Sequence, residues 1–221
     1  MQRAATFVGS SIGRKLVMAV TGLVFYGFVV GHMIGNLQIY LGPEAINHYG
    51  VFLREFLHGG AIWIVRATLL AAVGLHIWTA VTLTLANWRA RPVGYREWQA
   101  RESNLASRTM VWSGPILAVF VVYHLAHLTW GNANADFVPG DVYHNVVVGF
   151  SNPFASAFYI LAMLALGLHM YHGFWSMLQT LGLGAARMAP LRTGLSLALA
   201  GIVVLANISV PIAVLAGIVH L

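Results

Sequence analysis

Residues 16–41 read LVMAVTGLVFYGFVVGHMIGNLQIYL, 26 residues without one Asp, Glu, Lys or Arg and with one histidine, His32. Crossing the hydrocarbon core of a bilayer takes about 20 helical residues, so this run is long enough to span it. It is far longer than the apolar core of a signal peptide, and no small-residue cleavage site closes it, so it is expected to stay in the mature chain. Four further windows pass the same test, at 61–86, 110–130, 154–181 and 193–219. Working outward, the composition agrees: 59% hydrophobic and 8% charged residues, with a mean hydropathy of +0.76, are too apolar for a soluble chain of this length. The expected fold is all-α and polytopic, five transmembrane helices in one domain covering residues 1–221.

The chain has no cysteine, which excludes thiolate-held iron–sulfur clusters, disulfides and c-type haem attachment on it. A metal centre here must use histidine, methionine or oxygen ligands, and there are ten histidines. The net charge of +6 does not point to nucleic acid in so apolar a chain, because topogenic arginines explain it. Arg3, Arg14, Lys15, Arg89, Arg91, Arg96, Arg101, Arg108, Arg187 and Arg192 fall on one side of the five spans, and only Arg54 and Arg66 on the other. The N-terminus is therefore expected in the cytoplasm, with His220 and Leu221 outside. Trp63, Trp88, Trp112, Trp130 and Trp175 sit near window ends, where amphipathic rings favour the interface.

An internal repeat organises the histidines. The first span contains TGLVFYGFVVGH, with Thr21 and Gly22 before His32, and the third contains SGPILAVFVVYH, with Ser113 and Gly114 at the same offsets before His124. The second and fourth spans share Gly-Leu-His, at Gly74–His76 and Gly167–His169. His32 and His76 are 44 residues apart, His124 and His169 45. A two-span hairpin thus recurs, with histidine at equivalent places. Taken from the window midpoints, His32 and His124 lie about 6 Å toward the outside, and His76 and His169 about 3 Å toward the cytoplasm. Each level therefore offers two histidines that can clamp one metal centre between helices.

Haem suits such a pair better than a bare ion. Two imidazoles fill both axial positions of a porphyrin iron, whereas a structural zinc wants four ligands. An iron with no open position transfers electrons. Gly22, Gly27, Gly31, Gly35, Gly74, Gly114, Gly167 and Gly173 could leave room for a flat macrocycle or serve close helix packing, and the sequence leaves both open. An intramembrane histidine taken alone is as compatible with an interhelical hydrogen bond as with function; the repeat favours ligation. His127 and His172, three residues past two of the proposed ligands, are expected to bond backbone or propionates, and His48, His58 and His144 to lie in external connections.

These residues resemble the dihaem cytochrome b membrane subunit of succinate:quinone oxidoreductases and quinol:fumarate reductases. The likeness runs through VVGHMIGN (29–36), GLHIW (74–78), VVYH (121–124) and SNPFASAFYILAMLALGLHMYHGFWS (151–176), the last being the most specific. It implies two non-covalent haems b, with His32 and His124 on the distal haem and His76 and His169 on the proximal one. It implies as partners a cytoplasmic FAD flavoprotein and an iron–sulfur subunit docked on the basic inner face, with a quinone, usually menaquinone, near the distal haem. The setting would be a bacterial-type cytoplasmic membrane, and succinate or fumarate chemistry would lie on a partner subunit.

Quinone reduction consumes protons, so a titratable group is needed at the outer mouth. Glu44, His48, Arg54, Glu55 and His58 lie between the first two spans, and Glu55 is the residue close to a functional glutamate of some family members. Arg66 and Arg108 are candidate partners of haem propionates. One departure is Gly167, where some fumarate reductases carry a glutamate used for transmembrane proton movement. Two other readings remain: a gamma-type haem b anchor of a hydrogenase or formate dehydrogenase, and a haem-free transporter or scaffold using the histidines as relays or packing bonds.

Overall fold

The computed structural model describes residues 7, 9–90 and 105–221. Arg3, Arg91, Arg96 and Arg101 of the topogenic set lie outside the described residues. Among the described residues, five helices are long and apolar enough to cross a membrane: α1 (Ser11–Asn36), α3 (Gly60–Arg89), α4 (Leu105–Leu128), α6 (Pro153–Thr180) and α7 (Ala189–Leu215). Two shorter helices, α2 (Pro43–Glu55) and α5 (Val142–Ser151), fill connections. With no strand among the described residues, the chain is an all-α multi-pass membrane protein. We call the end at which α1 begins the inner end and the opposite end the outer end, after the orientation expected from the arginine count.

Local chemistry sets the boundaries. The Ser10 hydroxyl accepts the Gly13 N–H at 3.0 Å and starts α1 five residues before the apolar window opens. Asn152 accepts from Phe154 and Ala155, with Pro153 in the first turn of α6. Past Asn36 the chain tightens into a 3₁₀ turn, Leu37–Leu41, so the last five residues of the first apolar window are not α-helix. Pro115 in α4 and Pro211 in α7 have no N–H for the carbonyls of Val111 and Asn207.

Helix α6 sits at the centre, packed on α7, α4 and α1, while α1 also packs on α3. The repeated hairpins are thus α1–α3 and α4–α6, joined through α1 and α6. Among the described residues, α1 and α4 make no extended packed interface, nor do α3 and α6. Leu70, Trp112, Val119, Leu161 and Leu205 face outward from the bundle, as lipid-facing side chains should. Trp63, Trp88 and Trp130 are exposed near helix ends, but Trp175 is half-buried under the Arg192 guanidinium, 5.0 Å from its ring.

Arg192, counted among the inner-face charges, is therefore buried. It donates to the carbonyls of Leu183 and Ala185 and closes the α6–α7 connection, and its Nε is the one buried side-chain nitrogen or oxygen without a hydrogen-bond partner among the described residues. Its guanidinium thus satisfies two carbonyls of the loop that follows α6.

The outer end is closed by α2 and α5. Gly35 makes their approach possible: a Cβ there would stand 2.5 Å from the Tyr49 ring of α2. Asn47 donates to Asp141 at 2.9 Å and accepts the Tyr143 N–H at 3.0 Å, while Asp141 caps α5 through the His144 N–H. That N–H, then the Asn47 amide and the nearby His144 ring, hold the Asp141 carboxyl below the usual carboxylate range against a weak opposing effect of burial.

Candidate cofactor sites

Four histidines meet in two pairs. His32 on α1 faces His124 on α4 with ring centroids 5.8 Å apart, and His76 on α3 faces His169 on α6 at 6.4 Å. Each pair spans two helices that do not pack directly, so a gap lies between the imidazoles' parent backbones. Two imidazoles on opposite faces of one metal ion, bonded at about 2 Å each, place their centroids about 6 Å apart. Both pairs match that separation. No three His, Asp or Glu side chains converge to hold a metal among the described residues; each level brings two imidazoles together.

Measured from the helix midpoints, His76 and His169 stand about 2–4 Å toward the inner end, and His32 about 12 Å toward the outer end of α1. The α1 midpoint lies inward of its apolar window because the Ser10 cap opens the helix at Ser11 and the α-helix ends at Asn36.

The inner pair is oriented by hydroxyls. Thr21 spends its proton on the Val17 and Met18 carbonyls, at 2.9 and 3.1 Å, so its oxygen can accept the Nδ1–H of His76 at 3.0 Å. Ser113 stands 3.1 Å from Nδ1 of His169 in the same way. A hydroxyl that accepts from Nδ1 leaves the Nε2 lone pair free to ligate. Thr21 and Ser113 are the small residues whose matched offsets mark the repeat, and their work lies across the hairpin, on the histidine of the next span.

The outer pair lies among aromatic rings. Phe28 stacks on His32 at 5.4 Å and Phe120 lies 5.7 Å from His124. Nδ1 of His124 is 3.3 Å from the Tyr159 hydroxyl, which also lies 3.1 Å from Nδ1 of His127. His127 is buried, stacked on Tyr123 at 5.3 Å, and bonds a side chain, not the backbone or propionate expected of it. Tyr159 was not singled out in the sequence. Its signal was present: a phenol about 15 Å up the helix from His169 sits near the level of the other pair.

The glycines divide by neighbour. A Cβ at Gly22, Gly27, Gly31, Gly74 or Gly114 would meet nothing within 4 Å, so these border open space of the kind a flat macrocycle occupies. A Cβ at Gly167 would come 2.6 Å from Val204 of α7, and one at Gly173 3.1 Å from the Tyr26 hydroxyl, so these serve helix packing. Tyr26 itself donates to the Met170 carbonyl and ties α1 to α6.

The remaining candidates stand apart from the pairs' ring contacts. Glu55 is the exposed last residue of α2, its carbonyl accepting from Gly59 in a turn where Leu57 and His58 take positive φ. Arg66 is exposed two turns into α3, with its guanidinium 4.9 Å over Trp63. Arg108 is exposed in the first turn of α4.

Helices of membrane-spanning length, together with two facing imidazole pairs whose separation and tautomers suit axial ligation, define a polytopic helical membrane protein fitted to carry haem. A family described as the succinate dehydrogenase/fumarate reductase transmembrane subunit matches residues 89–208, more than half of the chain, and this protein belongs to it. The matched stretch holds His124 and His169, one member of each pair. Membership makes the chain a membrane subunit of an oxidoreductase complex and implies haem and quinone in general, with flavoprotein and iron–sulfur subunits as partners. No curated protein and no solved structure matches the chain.

Proposed function

We propose that this chain is the dihaem cytochrome b of its complex, a single domain over residues 1–221 that passes electrons between the iron–sulfur subunit and a membrane quinone. The observation that carries the reading is the pairing of His32 with His124 and of His76 with His169 at centroid separations of 5.8 and 6.4 Å. Haem b held by these pairs would supply one-electron carriers. His76 and His169 hold the proximal, inner position, and His32 and His124 the distal, outer one. Thr21 and Ser113 orient the inner ligands; the aromatic rings of Phe28 and Phe120 pack beside the outer ones. Arg66 and Arg108 are the propionate partners.

The N-terminus and basic connections face the cytoplasm of a bacterial-type inner membrane, where the flavoprotein carries succinate and fumarate chemistry. The quinone, by family resemblance menaquinone, exchanges at the outer end. There Glu55 gives or takes the proton, an assignment supported by its exposure at the α2–α3 turn. The test is a dithionite-reduced minus oxidised spectrum of the purified complex with a pyridine haemochrome count. Two haems b per chain are expected; none would sink the reading and return the histidines to packing or relay roles. Glu55→Gln is expected to slow succinate-to-quinone turnover at least tenfold while leaving succinate-to-dye activity intact; equal rates with both acceptors would remove Glu55 from the quinone site.

A further inference from the structure

The inner and outer ligands have different supports, and the outer one is a relay. Ser113 and Thr21 each meet one histidine, whereas the Tyr159 hydroxyl lies between two, at 3.3 Å from Nδ1 of His124 and 3.1 Å from Nδ1 of His127. A phenol has one proton. If His124 ligates through Nε2, as in the dihaem reading on which this rests, its Nδ1 carries hydrogen and must donate to the phenol oxygen. The phenol's own proton then goes to His127, which receives it on Nδ1. The chain of donors is thus fixed in direction: His124 to Tyr159 to His127. We propose that Tyr159 and His127 are positioning residues of the outer centre, setting the tautomer, orientation and electron-donating strength of His124 and through it the potential of the outer haem.

The relay is built to hold its geometry. Tyr159 is 5% exposed and packed by Phe150 at 4.8 Å and Phe120 at 5.1 Å, and His127 is 2% exposed. Gly149 lies so close that a Cβ on it would meet Cε1 of His127 at 2.8 Å. A phenol whose proton is already donated is a better acceptor, because successive hydrogen bonds polarise one another. A better acceptor on Nδ1 makes the imidazole a stronger donor to the metal and favours the oxidised iron. The alcohols at the inner level lack this second link, since Thr21 spends its proton on helix carbonyls.

The experiment is redox potentiometry of the purified complex, followed optically and by EPR, on wild type and on Tyr159→Phe, His127→Leu, His127→Gln, Gly149→Ala and Thr21→Val. Tyr159→Phe and His127→Leu are expected to keep two haems and raise the potential of the outer one while the inner one is unmoved. His127→Gln, whose amide oxygen can take the phenol proton, is expected to restore most of the wild-type value. Gly149→Ala, which displaces His127 without altering the relay's chemistry, is expected to shift the outer potential in the direction of His127→Leu. Thr21→Val is expected to shift the inner potential alone. Should Tyr159→Phe release the outer haem, His127→Leu decides, because it leaves the phenol in place. Two bound haems with wild-type potentials in both Tyr159→Phe and His127→Leu would overturn the proposal and leave the dihaem reading standing; a wild-type complex without haem would overturn that reading first.

Discussion

The inner and outer histidine pairs are two versions of one device. Both join helices that do not pack directly, and both hold imidazole rings about one metal's width apart. Around them the chain differs. The inner ligands are held by hydroxyls of the preceding helix in the repeat, the outer ones lie among Phe28, Phe120, Tyr123 and Tyr159 under a polar cap made by α2 and α5. The imidazole planes also differ, at 54° in the inner pair and 86° in the outer. A duplicated hairpin can therefore supply two similar sites while the surroundings give each its own properties.

The largest effect on that comparison comes from removing a ligand. His169→Ala is expected to lower the haem count from two to one per chain, with the outer haem still present in the difference spectrum. A count of zero would mean that the sites are interdependent and not two separable devices.

The next effect separates space for a cofactor from space for a helix. Gly22→Leu, one residue past the hydroxyl that holds His76, puts a side chain where a Cβ meets nothing within 4 Å, and is expected to remove most of the inner haem while the helix content by circular dichroism is kept. Gly167→Ala has the opposite character. Its methyl collides with Val204, so a loss of stability of about 1–3 kcal/mol is expected, read as a lower midpoint of thermal unfolding in detergent. Haem loss from both variants with no difference in unfolding would erase the division among the glycines.

The five spans were legible because a membrane imposes a length and a composition that few other constraints imitate. The histidine pairs were legible because the hairpin repeats, so one spacing could be checked against another. Apolar windows do not record caps: Ser10 starts α1 in a stretch the hydropathy excludes, and residues 37–41 continue apolar after the α-helix has ended. Helices α2 and α5 do not register as spans, both being too short and α2 also too polar, although Gly42-Pro43 and Asp141 mark their starts. Tyr159 was missed because its partner His127 lies on another helix, and no local spacing joins them. A topology count takes Arg192 by sequence position and cannot see that Trp175 and two carbonyls enclose it.

The smallest effect concerns the cap over the outer pair. Asp141→Ala is expected to cost about 1 kcal/mol through the lost helix cap. Because the folded carboxyl is held below its ordinary pKa of 3.8, its contribution is present above that pH and is lost as the pH falls below it. Thermal unfolding between pH 3 and pH 6 should thus show the variant converging on wild type at the acid end; a constant gap would mean that the charge of Asp141 plays no part.

The pairing itself is tested most directly by EPR of the oxidised complex. Different angles between axial ligand planes give ferric centres of different anisotropy, so two distinct low-spin signals are expected. His76→Ala and His169→Ala should both abolish one signal, and His32→Ala and His124→Ala should both abolish the other. Loss of the same signal from His76→Ala and His32→Ala would contradict the two pairs.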